Sequence, residues 1–458
     1  MVNKKIKARV LPLGWEKWKL NTKAQTSSGS TPLSSKDEYY QGGTIPWINS
    51  GELSENEIIE PKNFITELGY KNSSTKIFPI DTILIAMYGA TVGKTSILKI
   101  PACTNQAVCT ILPSSNFYSP YLKYYFENLS KYLISLSSGS ARDNISQEII
   151  KNHVVFSPSS IYEQKKLVKI LEKIDKKIAI NRDINRNLEA LARQLYDYWF
   201  VQFDFPDENG KPYKSSGGKM VYNEKLKHAI PEGWEVRHIK DITEVLLGGT
   251  PDTSNEDFWN GSISWLNSGE VAEFPILISE KTITEIGLSQ SATVLAPKGS
   301  VTLSITRHLR PSILAIDACI NQSVVAIKET NLLHSSFLYP YLLNEIPQLM
   351  ALRTGAQQPH INKETVEESY ILLSTPTILR LYYAKAESIY KSIILNAKEI
   401  QSLIKQRNEL LPLLMNGQVS VKPTELNCDL SLYKLVVFSP PWILTVYTKT
   451  WFNGILVI

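Results

Sequence analysis

Gly89-Ala90-Thr91-Val92-Gly93-Lys94-Thr95 is the stretch of this chain nearest to a phosphate-binding motif, and its spacing is wrong. A phosphate-cradling loop needs four residues between its glycines. Here there are three, Ala90, Thr91 and Val92, and no acidic strand end for magnesium is evident. NTP hydrolysis is therefore not expected. Ser439-Pro440-Pro441-Trp442 resembles the short catalytic loop of amino-methyltransferases, but no Gly-rich methyl-donor loop precedes it. Four cysteines (Cys103, Cys109, Cys319, Cys428) form no CxxC pair and no cluster with histidine, so no metal site is expected. No carboxylate set of the PD-(D/E)xK kind is visible. Catalytic residues are expected to be none.

The remaining chemistry is hydrogen bonding from polar loops, which come in pairs. Trp47-Ile48-Asn49-Ser50-Gly51-Glu52 and Trp265-Leu266-Asn267-Ser268-Gly269-Glu270 are nearly identical. Their tryptophans read as core. Asn49, Ser50, Asn267 and Ser268 suit either of two roles: bonding phosphate oxygens, which positions without specifying, or stabilising a turn. Other matched loops diverge. Ser140-Ala141-Arg142-Asp143-Asn144 stands against Ala356-Gln357-Gln358-Pro359-His360, and the loop with Thr91 and Lys94 against Thr306-Arg307-His308-Leu309-Arg310. Arg pairs with guanine, and Asn or Gln with adenine, in the major groove. The candidate DNA contacts are therefore Asn49, Ser50, Thr91, Lys94, Arg142, Asn144, Asn267, Ser268, Arg307, Arg310, Gln357, Gln358 and His360. The alternative for each divergent loop is a solvated surface.

These loops belong to an internal repeat. Leu11-Pro12-Leu13-Gly14-Trp15-Glu16 returns as Ile230-Pro231-Glu232-Gly233-Trp234-Glu235, and CTNQAVCTI (103–111) as CINQSVVAI (319–327). The offset stays between 219 (Trp15 to Trp234) and 216 (Cys103 to Cys319), which chance would not produce. IFPIDTILIAMYG (77–89) and its echo VLAPKGSVTLSI (294–305) read as strand–turn–strand. ACTNQAVCTIL and ACINQSVVAI read as further buried strands. SPYLKYYFENLSKYLISL and SSFLYPYLLNEIPQLMAL read as amphipathic helices.

After each globular part comes a helix too long for a globular core. Glu163–Phe200 has no Pro or Gly, and its apolar seam reads Leu167, Leu171, Ile174, Ile178, Ile184, Leu188, Leu191, Leu195. Its length would be roughly 57 Å. Its expected partner, Leu379–Met415, carries Leu379, Tyr382, Ala386, Ile389, Ile393, Ala397, Ile400, Ile404, Leu411 and Leu414. Asn181 and Asn396 fall near mid-seam, where a buried Asn can fix register; a partly exposed polar residue is the alternative. The basic residues of the first helix read as a solvated face. Tyr196, Tyr198, Trp199, Phe200, Phe203 and Phe205 read as packing on the helix pair or on a partner.

The expected fold class is α+β (mixed): two α/β domains separated by two long antiparallel, coiled-coil-like helices, with a pseudo-twofold internal repeat. The divisions are 1–158 (first domain), 159–200 (first long helix), 201–227 (a linker rich in Gly, Lys, Pro and Ser), 228–375 (second domain), 376–421 (second long helix) and 422–458 (an atypical apolar tail). Over 458 residues the net charge is +5, compatible with a nucleic-acid partner. Neither a signal peptide nor a membrane span is expected, and the cysteine usage suits a reducing cytoplasm.

The paired LPLGWE/IPEGWE openings and WINSGE/WLNSGE loops, SGSARDNIS followed by SPSSIYEQ, QLYDYWFVQFDF and RNELLPLLMNGQV together resemble the specificity subunit of bacterial type I restriction–modification systems. The resemblance covers about residues 10–421 and ends before the tail. It implies two target-recognition domains, each reading half of a split DNA site, held apart by two antiparallel helices. It further implies docking of two modification (methyltransferase) subunits, which carry adenine N6 methylation and bind S-adenosylmethionine. Restriction subunits using ATP and Mg would join that core. No cofactor is expected on this chain. The competing readings are a stand-alone methyltransferase or nuclease, and a two-headed scaffold that binds only protein.

Overall fold

The computed structural model describes residues 12–136, 144–306, 308–355, 360–422, 434–437, 450–452 and 455–457. The chain divides into two compact units, Met1–Lys177 with Leu403–Ile458, and Ile178–Ser402.

The first unit is built on a five-stranded sheet in the order Thr26–Ser28, Val108–Ile111, Ile83–Ala86, Thr95–Leu98, Glu57–Ile58. Every residue of Ile83–Ala86, Thr95–Leu98 and Val108–Ile111 is buried, so these strands are covered on both faces. That explains their unbroken apolar and Thr/Ser runs. Beside them, Ile45–Ile48 pairs antiparallel with Phe64–Ile65 and parallel with Cys103–Thr104. Trp15–Lys19 closes against Val154–Pro158. Helix Ser119–Asn128 lies on the sheet and buries Tyr121, Leu122 and Phe126.

The second unit makes the same kinds of pairing. Its sheet runs Val245–Leu247, Val324–Ile327, Val301–Ser304, Pro311–Ile313. Trp259–Leu266 pairs antiparallel with Lys281–Ile283 and parallel with Ala318–Ile320. Glu235–His238 closes against Tyr370–Leu373. In each unit the segment that begins with the Ala-Cys pair holds two short strands, Cys103–Thr104 and Val108–Ile111 in the first, Ala318–Ile320 and Val324–Ile327 in the second. Asn105 Oδ1 accepts from Ala107 N at 3.1 Å, and Asn321 Oδ1 from Ser323 N at 3.1 Å. These Asx turns interrupt the runs.

The long helices span Ile161–Tyr196 (36 residues) and Pro376–Met415 (40 residues). Pro376 sits at the first helical position, where its missing N–H costs nothing. The second helix ends at Met415, and the chain turns away at Gly417, whose φ of +66° suits glycine. A Cβ there would also lie 2.7 Å from Pro12 Cγ. Within the second unit the helices run in opposite directions: Asn181 meets Glu399, and Asn185 meets Ile393 and Asn396.

The expected seam of the first helix holds through Ile178 and again at Leu188 and Leu195, but not at Ile184 and Leu191. Ile184 and Leu191 are exposed, while Asn181, Ala192 and Tyr196 are buried. Six residues from Ile178 to Ile184 turn an α-helix through about 600°, which lands well off the starting face. The observed seam steps instead by threes and fours through Asn181, Asn185, Leu188, Ala192 and Leu195. Asn181 is buried, with Nδ2 donating to Glu399 Oε2 at 2.8 Å. Asn396 donates to Asn185 Oδ1 at 3.1 Å, and Asn185 to the Ile393 carbonyl at 3.1 Å.

The Gly- and Lys-rich stretch after the first helix is folded in the second unit. Phe205 stacks between Tyr213 (4.7 Å) and Trp234 (5.1 Å), and Met220–Asn223 pairs with His228–Pro231. Tyr196, Trp199, Phe200 and Phe203 lie in the same core with Phe337 and Tyr382.

Candidate nucleic-acid interface

In the first unit, three polar segments meet at one edge of the sheet. The first is the turn Ser50–Ser54. Asn49 caps it, accepting from Gly51 N at 2.9 Å, while Glu52 answers by accepting from Asn49 N at 3.1 Å. Glu52 is buried and also accepts from Lys62 N (2.9 Å) and Asn63 Nδ2 (3.0 Å). The second segment is the tip of the hairpin between Ile83–Ala86 and Thr95–Leu98. Thr91 Oγ1 donates to the Ser50 carbonyl at 2.8 Å and ties tip to turn. The third is Asn144, bridged to Tyr88 across an antiparallel pairing, with Ile145 N on the Met87 carbonyl at 2.9 Å. Lys94, Tyr88 and Asn144 are exposed there. The glycines of GATVGKT thus serve a hairpin between antiparallel strands, with φ of +79° at Gly89 and +77° at Gly93. No helix follows to present a phosphate-binding N-terminus.

The second unit assembles matching parts. Asn267 Oδ1 accepts from Gly269 N at 2.7 Å. Glu270 accepts from Asn267 N (2.9 Å) and Glu280 N (2.6 Å). The turn Glu270–Ala272 packs on the strands Val301–Ser304 and Pro311–Ile313. Thr306 bridges His360, and Ile361 N reaches the Ile305 carbonyl at 3.0 Å. His308, Arg310 and His360 are exposed at this edge.

Of the residues expected to contact DNA, Asn49, Ser50, Thr91, Lys94 and Asn144 converge in the first unit. Asn267, Ser268, Arg310 and His360 sit on the corresponding segments of the second. Arg142, Arg307, Gln357 and Gln358 lie outside the described residues. The side chains of Asn49, Asn267 and Thr91 are engaged in holding turns. Glu52 and Glu270, not singled out from sequence, are the anchors of both turns. The identity of the two NSGE segments was the available signal, since a carboxylate that gathers backbone N–H groups needs the same residue in both places. The Trp47 and Trp265 indoles donate to the Ser30 and Gly249 carbonyls, both at 3.1 Å, so these rings anchor loops.

Burial pushes the thiols of Cys103 and Cys319 up to about 11 and that of Cys109 up to about 12, leaving them protonated and inert at neutral pH. Among the described residues, Glu329, His334 and Glu387 bring ligand atoms within 4.8 Å of one another. His334 Nδ1 lies 3.1 Å from Glu387 Oε1, which also accepts from Ser336 Oγ at 2.6 Å. Hydrogen bonds account for that group. No described helix is long and apolar enough to cross a membrane.

A family model described as the type I restriction modification DNA specificity domain matches residues 12–190 and 231–376. The MjaIX type I restriction enzyme specificity subunit of Methanocaldococcus jannaschii is 29% identical over 424 residues, covering 90% of this chain and 95% of that one. The EcoR124I/EcoR124II specificity subunit of Escherichia coli is 26% identical over 184 residues, covering 39% and 45%. The crystal structure of a type I S subunit from M. genitalium shares the fold, with a TM-score of 0.52 and 14% identity over 87% of this chain and 96% of that one.

Proposed function

The chain belongs to the type I restriction–modification specificity-subunit family, and from that premise we propose that it reads a split DNA site with two unlike heads and performs no chemical step itself. DNA recognition and complex assembly are the family's function. The finer reading takes 10–158 as the head for one half-site and 228–375 as the head for the other. The long helices, paired as a coiled-coil-like rod, set the interval between the halves. A pseudo-twofold duplication of one head-plus-helix plan suits two half-sites.

The observation that carries this reading is the contrast within each interface. The Asn–Glu turn is the same in both units, while the hairpin tip and the strand facing it differ: Tyr88, Lys94 and Asn144 in one, His308, Arg310 and His360 in the other. A shared scaffold with unlike exposed donors suits two different base sequences.

Two modification subunits are the expected partners, supplying adenine methylation with S-adenosylmethionine on a flipped base. Restriction subunits would supply ATP- and Mg-dependent steps, all in the cytoplasm. Exposed Ile180, Ile184 and Leu191 offer an apolar stripe on the first long helix that suits protein docking.

The test is a head exchange. Replacing residues 10–158 with the head of another family member should change one half of the methylated motif and leave the other half intact. A change in both halves, or in neither, would refute the assignment. Duplex binding by the assembled complex should weaken steeply with added salt; salt-independent binding would favour a protein-only scaffold.

A further inference from the structure

Four charged side chains from three helices are buried together in the first unit. Lys123 and Glu127 come from Ser119–Asn128, Asp175 from the first long helix and Arg407 from the second. Their side-chain exposures are 3%, 24%, 10% and 12%, and their charges cancel. Lys123 Nζ donates to Glu127 Oε2 at 2.8 Å and to Asn56 Oδ1 at 2.7 Å. Arg407 Nη2 donates to Glu127, while Nε lies 2.5 Å from Asp175 Oδ1 as an ion pair that lacks hydrogen-bond alignment. Tyr124 completes the group. Its hydroxyl donates to Asp175 Oδ2 at 2.6 Å, and its ring lies 4.3 Å from Lys123 Nζ.

Helix Ser119–Asn128 lies on the sheet whose edge carries Ser50, Thr91 and Asn144. Fixing its orientation therefore fixes the first interface on its own stretch of the helix pair. Buried ion pairs add little stability over apolar packing, but their directional bonds can select one geometry. In the second unit the aligned segment SSFLYPYL places Tyr339 where SPYLKYYF has Lys123. Tyr339 stacks on Phe274 at 4.2 Å and donates to Glu189 at 2.7 Å. Among the described residues, no such charged quartet recurs there.

We propose that Arg407 and Glu127 are positioning residues for the first half-site: by setting the tilt of the first head on the helices, they restrict the site to one spacer length. This rests on the split-site function proposed above. One inserted base pair shifts a half-site by about 3.4 Å and turns it by about a tenth of a turn, a displacement a rigid clamp rejects and a loose one accepts.

The experiment co-expresses the full chain with its modification subunit and maps methylated adenines genome-wide. The wild type should give one split motif with one spacer. Arg407→Leu and Glu127→Gln should methylate the same two half-sequences with spacers one base pair longer or shorter, at least tenfold above wild type. Arg407→Lys, which keeps the charge but not the guanidinium, should fall between. Should a single substitution unfold the unit, the combined variant Lys123→Met, Glu127→Leu, Asp175→Leu, Arg407→Met decides the matter, since it restores packing without directional bonds. A folded, active variant of either kind that keeps the single spacer overturns the clamp while leaving the proposed function standing. A wild-type motif without an interruption overturns both.

Discussion

The two units fasten equivalent helices to the long pair with different emphasis. The first uses charge: Lys123, Glu127, Asp175 and Arg407, each partnered and largely dry. The second uses rings: Phe200 lies 4.8 Å from Phe337 and 4.9 Å from Tyr382, with Tyr196 5.3 Å from Phe337. Aromatic burial stabilises through area and tolerates small rotations. An ionic cluster contributes less net stability but demands its angles. One architectural task has thus been met once with affinity and once with direction.

The widest separation should come from Phe200→Ala. It removes a buried ring from the aromatic cluster and should cost about 4 kcal/mol in the second unit, seen as a large drop in its urea midpoint. Next, Arg407→Ala leaves buried Asp175 without its cation and Glu127 with Lys123 alone, and should cost roughly 3 kcal/mol in the first unit. The four-residue apolar replacement should recover most of that loss. If it is no more stable than Arg407→Ala, charge here is not a directional device.

A smaller effect is set by pH. Burial alone would raise the Glu127 carboxyl, but Lys123 and Arg407 together outweigh it and hold it below the ordinary carboxylate range. Glu127 therefore contributes stability that is fully present above its unfolded value of about 4.3 and lost as pH falls through the lower folded one. The stability gap between wild type and Glu127→Gln should close across that acid window. A gap that widens there would invert the sign. Smallest of all, Asn185→Ala removes a donor to the Ile393 carbonyl and an acceptor for Asn396, and should cost about 1 kcal/mol in the second unit by denaturant titration.

Much of the fold was legible because it rests on local rules. Two long stretches with three-and-four apolar spacing became helices of 36 and 40 residues, and paired strand–turn–strand segments became central strands. What escaped depended on partners distant in sequence. Ile184 and Leu191 satisfy a loose count of apolar spacing yet face outward, because the second helix meets the stripe through Asn181 and Asn185 instead. The stretch after Val201 looked like a linker by composition, yet Phe203 and Phe205 find Trp234. Nothing in the spacing of the second long helix singled out Arg407. Only the approach of Ser119–Asn128 reveals Glu127 beside it. At the candidate interface, the paired NSGE segments were legible as a repeat, while the roles of Glu52 and Glu270 required seeing which N–H groups they gather.

Truncation after Lys422 should leave site recognition unchanged, since the expected recognition and spacer elements precede it; loss of recognition on truncation would give the tail a part in reading DNA. The most direct measurement is the methylome of cells that express the intact chain with its modification subunit as their only adenine methyltransferase. Two unlike specified sequences separated by a fixed number of unspecified base pairs is the predicted motif. One uninterrupted sequence would contradict the account at its base.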